Sequence, residues 1–173
     1  IGVYFSTKPF SSSLAPAAGK ISTYVDIELD NLTVGEPTFY EINQVPIIAL
    51  KPNFFQLSLM QGAASFPARS FIAEAGVYLY IGISKGRSYF CELKHEPKPH
   101  PTRTNKLWNG GYFSSACEIS YDYSGRAIKT EAESYNGFYG DLEDLLVPKY
   151  KVINSSTIRV FEPKLTNAST GTL

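Results

Sequence analysis

The chain has 173 residues, of which 43% are hydrophobic, 14% aromatic and 18% charged. This composition excludes intrinsic disorder and is typical of a packed globular protein. Sixteen basic and sixteen acidic residues balance, so no overall field attracts nucleic acid or an anionic membrane. We therefore expect no nucleic-acid partner.

No stretch reaches the roughly 20 apolar residues of a membrane-spanning helix, so we expect no membrane-spanning segment. The first residue is Ile1 rather than methionine. We interpret the chain as a processed product, a trimmed chain or part of a longer one, and a removed signal peptide is one explanation.

Period-two alternation interrupted by turn residues dominates residues 21–93. Val25, Ile27 and Leu29 alternate with acidic residues, as in a strand with one buried face. The run 77–83 is the most strand-like and predicts the centre of a sheet, continuing through a hairpin into 89–93. The strands predicted in this half of the chain cover residues 2–7, 21–29, 38–42, 45–50, 55–59, 71–74, 77–83 and 89–93.

Three prolines within five residues follow at 97–101 and exclude both a helix and a central strand. Residues 94–106 are therefore predicted to form a stiff, Pro-rich basic loop. Its basic residues, a candidate functional set, are Lys94, Lys98, Arg103 and Lys106.

Further strands are predicted over 112–116, 118–123, 126–131 and 157–161, and they either complete the first sheet system or form a small second sheet within 107–165. One short helix is predicted near 141–147, with acids in its first turn and Pro148 ending it. Residues 166–173 are expected to be a frayed tail. The fold class is thus mainly β, an antiparallel β-sandwich with residues 1–93 as its main domain.

Cys91 and Cys117 both lie in strand-like stretches. They form either one disulfide or two buried thiols. A nucleophilic thiol needs a histidine base and a cationic or helix-terminal setting. The apolar alternation around both cysteines favours a structural role instead.

His95 and His100 are five residues apart with prolines between them. A zinc-binding helix needs its histidines four apart on one face, so we expect no metal site and no cofactor. The acids Asp141, Glu143 and Asp144 are better explained by the first turn of a helix than by paired catalytic carboxylates. We expect no enzyme.

Two loops combine aromatic residues with glycine and asparagine. Such rings present flat apolar faces at low entropic cost, which suits recognition of sugars or proteins. Alternatively, the rings fold back and cap the sandwich. The candidate partner-binding residues are Trp108, Tyr112, Tyr135, Phe138 and Tyr139.

Residues 21–93 contain a series of short motifs: the strand 25–29, Asp30-Asn31, Val34-Gly35, Pro52-Asn53, the alternating run 55–59 and the strand opening at 75–80. The order of these motifs is similar to that of PEGA-type domains and related bacterial envelope lipoproteins. The resemblance implies a non-catalytic β-sandwich module of the periplasm or cell surface, an accessory part of a secretion or envelope assembly.

We therefore expect a structural or interaction protein outside the cytoplasm, in the periplasm, on the cell surface or in a virion. Its partners are expected to be other protein subunits, contacted through edge strands and aromatic loops. The alternative is a virion or phage surface protein. A carbohydrate-binding module, with a glycan as its partner, is the third hypothesis.

Overall fold

The structure, a computed structural model, describes residues 23–61, 70–85, 90–97, 109–117, 119–128 and 143–165. Strands make up 50% of it and helices 10%. The predicted mainly β, antiparallel fold is confirmed. Neither helix among these residues has the length and apolar character needed to cross a bilayer.

The elements, in chain order, are β1 (Tyr24–Glu28), a 3-10 turn (Leu29–Asn31), β2 (Thr38–Ile42), β3 (Val45–Leu50), α1 (Phe54–Gln61), β4 (Phe71–Ile72), β5 (Val77–Ile81), β6 (Ile83–Lys85), β7 (Phe90–Glu92), β8 (Lys94–Glu96), β9 (Gly111–Ser114), β10 (Ile119–Tyr121), β11 (Ala127–Ile128), β12 (Tyr150–Asn154) and β13 (Thr157–Phe161).

A central antiparallel sheet has the strand order β2-β3-β5-β4. Every residue of β5 is buried, so this strand has core on both faces. Because side chains alternate along a strand, Val77, Leu79 and Ile81 enter one hydrophobic core. Tyr78 and Tyr80 enter a second core on the opposite face. The predicted position of this strand inside a sheet is confirmed, but the strand ends at Ile81 rather than at residue 83, and Ile83 begins β6 of another sheet.

The first core is covered by a three-stranded sheet with the order β1-β13-β12. Its inward residues, Ile27, Ile158 and Val160, pack with those of the central sheet. On the outward face Arg159 forms a two-point ion pair with Asp26, at 2.7 and 2.8 Å. Strand β12 was not among the predicted strands.

The second core is covered by a four-stranded sheet with the order β11-β10-β9-β8, by the β6–β7 hairpin and by Met60 of α1. A disulfide joins Cys91 in β7 to Cys117 after β9, with 6.1 Å between their Cα atoms. Of the two alternatives left open for these cysteines, the disulfide is the one formed. The two cysteines are 26 residues apart, and closing a loop of this length contributes about 3.5 kcal/mol by loop-entropy reasoning.

Strands from residues 107–165 join both layers, since β13 pairs with β1 and β9 pairs with β8. The strands predicted over 38–42, 45–50 and 157–161 are confirmed with those bounds. Ser124 and Gly125 lie in the turn that connects β10 and β11. There the Asp122 carboxylate accepts hydrogen bonds from Ser124 and Arg126.

The prediction of a strand over 55–59 is wrong, because these residues belong to α1. The prediction of a helix near 141–147 is also wrong for the part that is described, since 143–149 contain no helical residue. The Leu145 N–H donates to the Gly125 carbonyl at 2.7 Å, and the Leu146 carbonyl accepts from Ile81 at 2.8 Å. Bonds to neighbouring segments thus replace the bonds that a helix would make within itself.

The predicted basic loop over 94–106 begins too early. Lys94–Glu96 form β8, an edge strand of its sheet that pairs with β9. These three residues precede the first proline, Pro97, and therefore keep the backbone donors that a strand needs. The rest of this loop beyond Pro97, the predicted strand 2–7 and the predicted tail 166–173 lie outside the described residues.

A row of aromatic rings crosses the second core. The centroid distances along it are 4.9 Å for Phe71–Tyr78, 6.1 Å for Tyr78–Tyr80, 5.8 Å for Tyr80–Tyr112 and 6.3 Å for Tyr112–Tyr123. Burial raises the pKa of Tyr78 to about 12. Burial also raises the pKa values of Tyr80 and Tyr112 well above 10, so these buried phenols stay protonated.

Two of these buried hydroxyls have opposite hydrogen-bonding situations. The Tyr80 hydroxyl donates to the Tyr123 carbonyl at 2.9 Å, whereas the Tyr112 hydroxyl has no hydrogen-bond partner among the described residues. An unsatisfied buried hydroxyl costs about 1–3 kcal/mol, and a satisfied one contributes about 1 kcal/mol.

Tyr112→Phe should therefore raise the free energy of unfolding by about 1 kcal/mol, while the matched Tyr80→Phe should lower it by about the same amount. Urea denaturation followed by tyrosine fluorescence measures both changes. Equal destabilisation by the two substitutions would contradict the assigned hydrogen bonds.

Candidate functional site

Helix α1 begins with a reciprocal cap. The Gln56 N–H donates to Asn53 Oδ1 at 2.8 Å, and the Asn53 N–H donates to Gln56 Oε1 at 3.0 Å. This arrangement satisfies two backbone donors that a helix start would otherwise leave without partners. The Gln56 side chain also donates to the Gly35 carbonyl at 2.9 Å, which ties the helix to the preceding loop.

Gly35 is required at this junction. Its φ is +87°, in the left-handed region, and a Cβ at this position would lie 2.6 Å from Asn53 Nδ2. A side chain would therefore strain the backbone and collide with the cap. The Gly35 N–H donates to the Lys51 carbonyl at 2.7 Å, so the loop and the helix start form one bonded unit.

In α1 a polar side chain is buried and two aromatic side chains are exposed, which is the reverse of the usual arrangement. Gln56 is only 3% exposed, whereas Phe54 is 88% and Phe55 61% exposed. Val34, next to Gly35, is 56% exposed and pairs with Lys51 in an isolated bridge. We call Val34, Phe54 and Phe55 the helix-start patch. Because Gln56 must satisfy its bonds inside, the helix turns these rings toward solvent.

A polar relay runs from the helix start to β8. The Gln56 side chain lies close enough to the Tyr123 hydroxyl to lower its pKa, and the Tyr123 hydroxyl lies 3.2 Å from His95 Nε2. The His95 and Tyr123 rings meet edge to face with 5.9 Å between their centroids. A histidine on β8 is thus coupled through two side chains to the unit that orients the helix-start patch.

Burial lowers the pKa of His95 from its ordinary value of 6.5, and the nearby carboxylates of Glu96 and Glu36 oppose this shift without cancelling it. The neutral imidazole is therefore favoured in the folded protein. Burial also raises the pKa of Tyr123. The His95 imidazole and the Tyr123 phenol are therefore both neutral hydrogen-bonding groups, and neither is an ionised nucleophile.

The described part of the chain contains no group of three or more His, Cys, Asp or Glu residues that could hold a metal ion. Both cysteines are consumed by their disulfide, so neither is a free thiol. At the helix start the structure presents exposed apolar side chains next to a hydrogen-bonded cap.

Among the residues predicted to bind a partner, Tyr112 is placed differently from the prediction. It lies in β9 with no exposed surface and packs within the second core, so it cannot contact a partner. Gly110 and Gly111 before it have φ values of +94° and +149°, and this Gly-Gly pair made the segment resemble a loop. The other four, Trp108, Tyr135, Phe138 and Tyr139, lie outside the described residues.

Of the basic residues singled out by the sequence, Lys94 lies exposed on the edge strand β8. Lys98, Arg103 and Lys106 lie outside the described residues. The helix-start patch was missed because residues 55–59 were assigned to a strand. The spacing of Asn53 and Gln56, which fits a helix cap, was the signal that could have found it.

No protein-family model matches this chain, and a search of curated proteins finds no match.

We predict that the half-buried His95 makes the free energy of unfolding depend on pH. Because the pKa of His95 is lowered in the folded state, the unfolded chain binds the proton more readily, and the free energy of unfolding should fall as the pH drops below about 6.5. His95→Gln should show a smaller fall between about pH 7.5 and about pH 5. Urea denaturation at both pH values measures this.

The two proteins differ only at residue 95, so a difference between their pH dependences reports on His95. An unchanged pH dependence in His95→Gln would show that the neutral state of His95 does not matter for stability.

Proposed function

We propose that this chain is a non-catalytic interaction protein that works outside the cytoplasm as a subunit of an envelope or secretion assembly. The observation that carries the proposal is the helix-start patch. A helix that buries its glutamine and exposes two adjacent phenylalanines is arranged for a contact beyond its own chain.

The energetics favour a covered patch. Fully burying one such side chain is worth about 1.5–3 kcal/mol, and soluble monomers rarely expose contiguous apolar patches. Aromatic residues are also enriched in the energetically dominant centres of protein interfaces. Phe54 and Phe55 are exposed aromatic residues of this kind.

The patch is held in place before any partner arrives. The Asn53–Gln56 cap and the Gln56 bond to Gly35 fix the start of the helix. A preorganised contact surface loses less conformational entropy on binding, so more of the contact energy is retained. This supports a recognition role for the patch.

The Cys91–Cys117 bond supports the proposed compartment. Structural disulfides persist in secreted, periplasmic and surface proteins, and are rare where the cytosol keeps thiols reduced. A virion surface protein, the alternative, fits the same bond and the same patch. The two differ in the occupant of the patch: a different subunit in an envelope assembly, many identical copies in a virion.

The glycan-binding hypothesis depends on Trp108, Tyr135, Phe138 and Tyr139, which lie outside the described residues. The burial of Tyr112 removes one of its proposed contacts. We therefore rank it below the interaction role.

The proposal is tested by the mass of the native assembly purified from its source, measured by light scattering with identification of the co-purifying chains. A defined complex with other subunits is expected. A large assembly of identical copies would favour the virion alternative, and a lone monomer would contradict both.

The double variant Phe54→Ser/Phe55→Ser should weaken that assembly by roughly 30-fold or more, as expected when dominant interface residues are lost. Its stability as an isolated chain should change little, because both rings are exposed. Leu146→Ser, at a leucine that is 60% exposed elsewhere, is the matched control. An equal effect of the control would show that the patch has no specific role.

A further inference from the structure

Strand β12 is an open sheet edge. It is the last strand in the order β1-β13-β12, and the described residues place no strand on its other side. The opposite terminal strand, β1, lies beside β2 of the central sheet. Of the two ends of this sheet, the β12 end is the accessible one.

The register shows which backbone groups face the open edge. The Phe161 N–H donates to the Lys149 carbonyl at 2.9 Å, and Tyr150 lies opposite Val160. Hydrogen-bonded and non-hydrogen-bonded pairs alternate in an antiparallel ladder. The N–H and C=O groups of Tyr150 and Val152 therefore point away from β13, where an added strand would meet them.

The side chains along β12 determine the charge of this edge and which of its faces is polar. Lys149 and Lys151 are exposed, and no acidic residue lies between 149 and 154. Lys151 is opposite Arg159, whose charge is already paired with Asp26. Lys151 therefore lies on the outer face of the sheet, and no described residue forms an ion pair with it.

On the inner face, Val152 is opposite Ile158 and Tyr150 is opposite Val160. Both partners belong to the first core, and Val152 packs against it. A strand added beside β12 would thus meet apolar side chains on one face and lysines on the other.

We propose that β12 is a strand-addition site for an extended segment of a partner protein in which acidic residues alternate with apolar ones. The acidic residues would face Lys151, and the apolar residues would extend the layer formed by Tyr150 and Val152. This inference rests on the proposed role as an interaction protein, and it names a second surface and the chemistry of its partner.

A second copy of the chain fits this edge less well. Pairing two β12 strands around a two-fold axis would bring the lysines of one copy beside those of the other, and like charges facing each other across strands are destabilising. An acidic partner strand has no such penalty.

The same sheet already contains a strand of the required kind. In β1, Asp26 is opposite Arg159 and Ile27 is opposite Ile158, so the acid lies on the outer face and the apolar residue lies in the core. A peptide with the sequence of residues 24–29, Tyr-Val-Asp-Ile-Glu-Leu, therefore has the right alternation. We choose it as the probe, with the charge-reversed peptide Tyr-Val-Lys-Ile-Lys-Leu as its control.

The test measures binding of both peptides to the full chain by fluorescence anisotropy at low and moderate salt. The acidic peptide should bind saturably, less tightly at the higher salt, and the charge-reversed peptide should bind about tenfold more weakly or not at all. Lys151→Glu should weaken binding of the acidic peptide by about three- to tenfold.

A matched pair of variants isolates the backbone contribution. Tyr150→Pro and Tyr150→Ala both lose the side chain, but only the proline variant loses the N–H that faces the open edge. Tyr150→Pro should abolish binding, whereas Tyr150→Ala should keep most of it. Near-ultraviolet circular dichroism checks that both variants keep the fold.

Equal binding by the two Tyr150 variants, or no saturable binding by the unmodified chain, would overturn the inference. So would a dimer of the unmodified chain that Tyr150→Pro dissociates, because a second copy would then be the occupant. If peptide binding fails but Phe54→Ser/Phe55→Ser still disrupts the native assembly, the inference about β12 fails while the proposed function stands.

Discussion

The structure depends on one constraint: the central sheet is apolar on both faces. In β5 every residue is buried, with valine, leucine and isoleucine on one face and two tyrosines on the other. A sheet of this kind must be covered twice, because each bare face would expose its apolar side chains to water. The β1-β13-β12 sheet covers one face, and the β8–β11 sheet with α1 covers the other. The disulfide fastens two segments of the second cover to each other, and the β1–β13 pairing closes the first cover with strands from nearly opposite ends of the described chain.

The same constraint explains what could be predicted from the sequence. The apolar run 77–83 predicted a central strand, because a strand buried on both faces has apolar residues at successive positions. The alternation over 157–161 predicted β13, because a strand buried on one face has apolar residues at every second position. Helix α1 has no comparable pattern in its sequence. Its apolar residues are spread around the helix rather than gathered on one face. Gln56, which decides the orientation of the helix, is buried by hydrogen bonds to the cap residue Asn53 and to the distant Gly35, and neither partner is part of a periodic pattern. The acids and leucines at 141–147 fit a helix locally, but bonds from Leu145 and Leu146 to other segments prevail.

Two candidate surfaces lie on opposite covers of the central sheet. The helix-start patch belongs to the cover of the second core, and the β12 edge belongs to the cover of the first. They differ in chemistry, since the patch offers exposed aromatic rings and the edge offers free backbone groups with lysines. The Tyr123 hydroxyl lies between His95 of the β8–β11 sheet and Gln56 of the helix start, and it contacts His95 Nε2. In the proposed interaction role, both contact surfaces lie on the periphery, while the doubly covered sheet supplies rigidity.

Native-state hydrogen exchange of the isolated chain tests this account most directly. Amides in β3 and β5 should exchange slowest and only through global unfolding, because both faces of these strands are buried. The outward-facing amides of Tyr150 and Val152 should exchange fast, because the open edge leaves them to solvent. Protection of those two amides equal to that of β5 would contradict the account, since it would mean that this edge is already paired within the chain. Fast exchange in β5 itself would contradict the doubly covered sheet on which the rest depends.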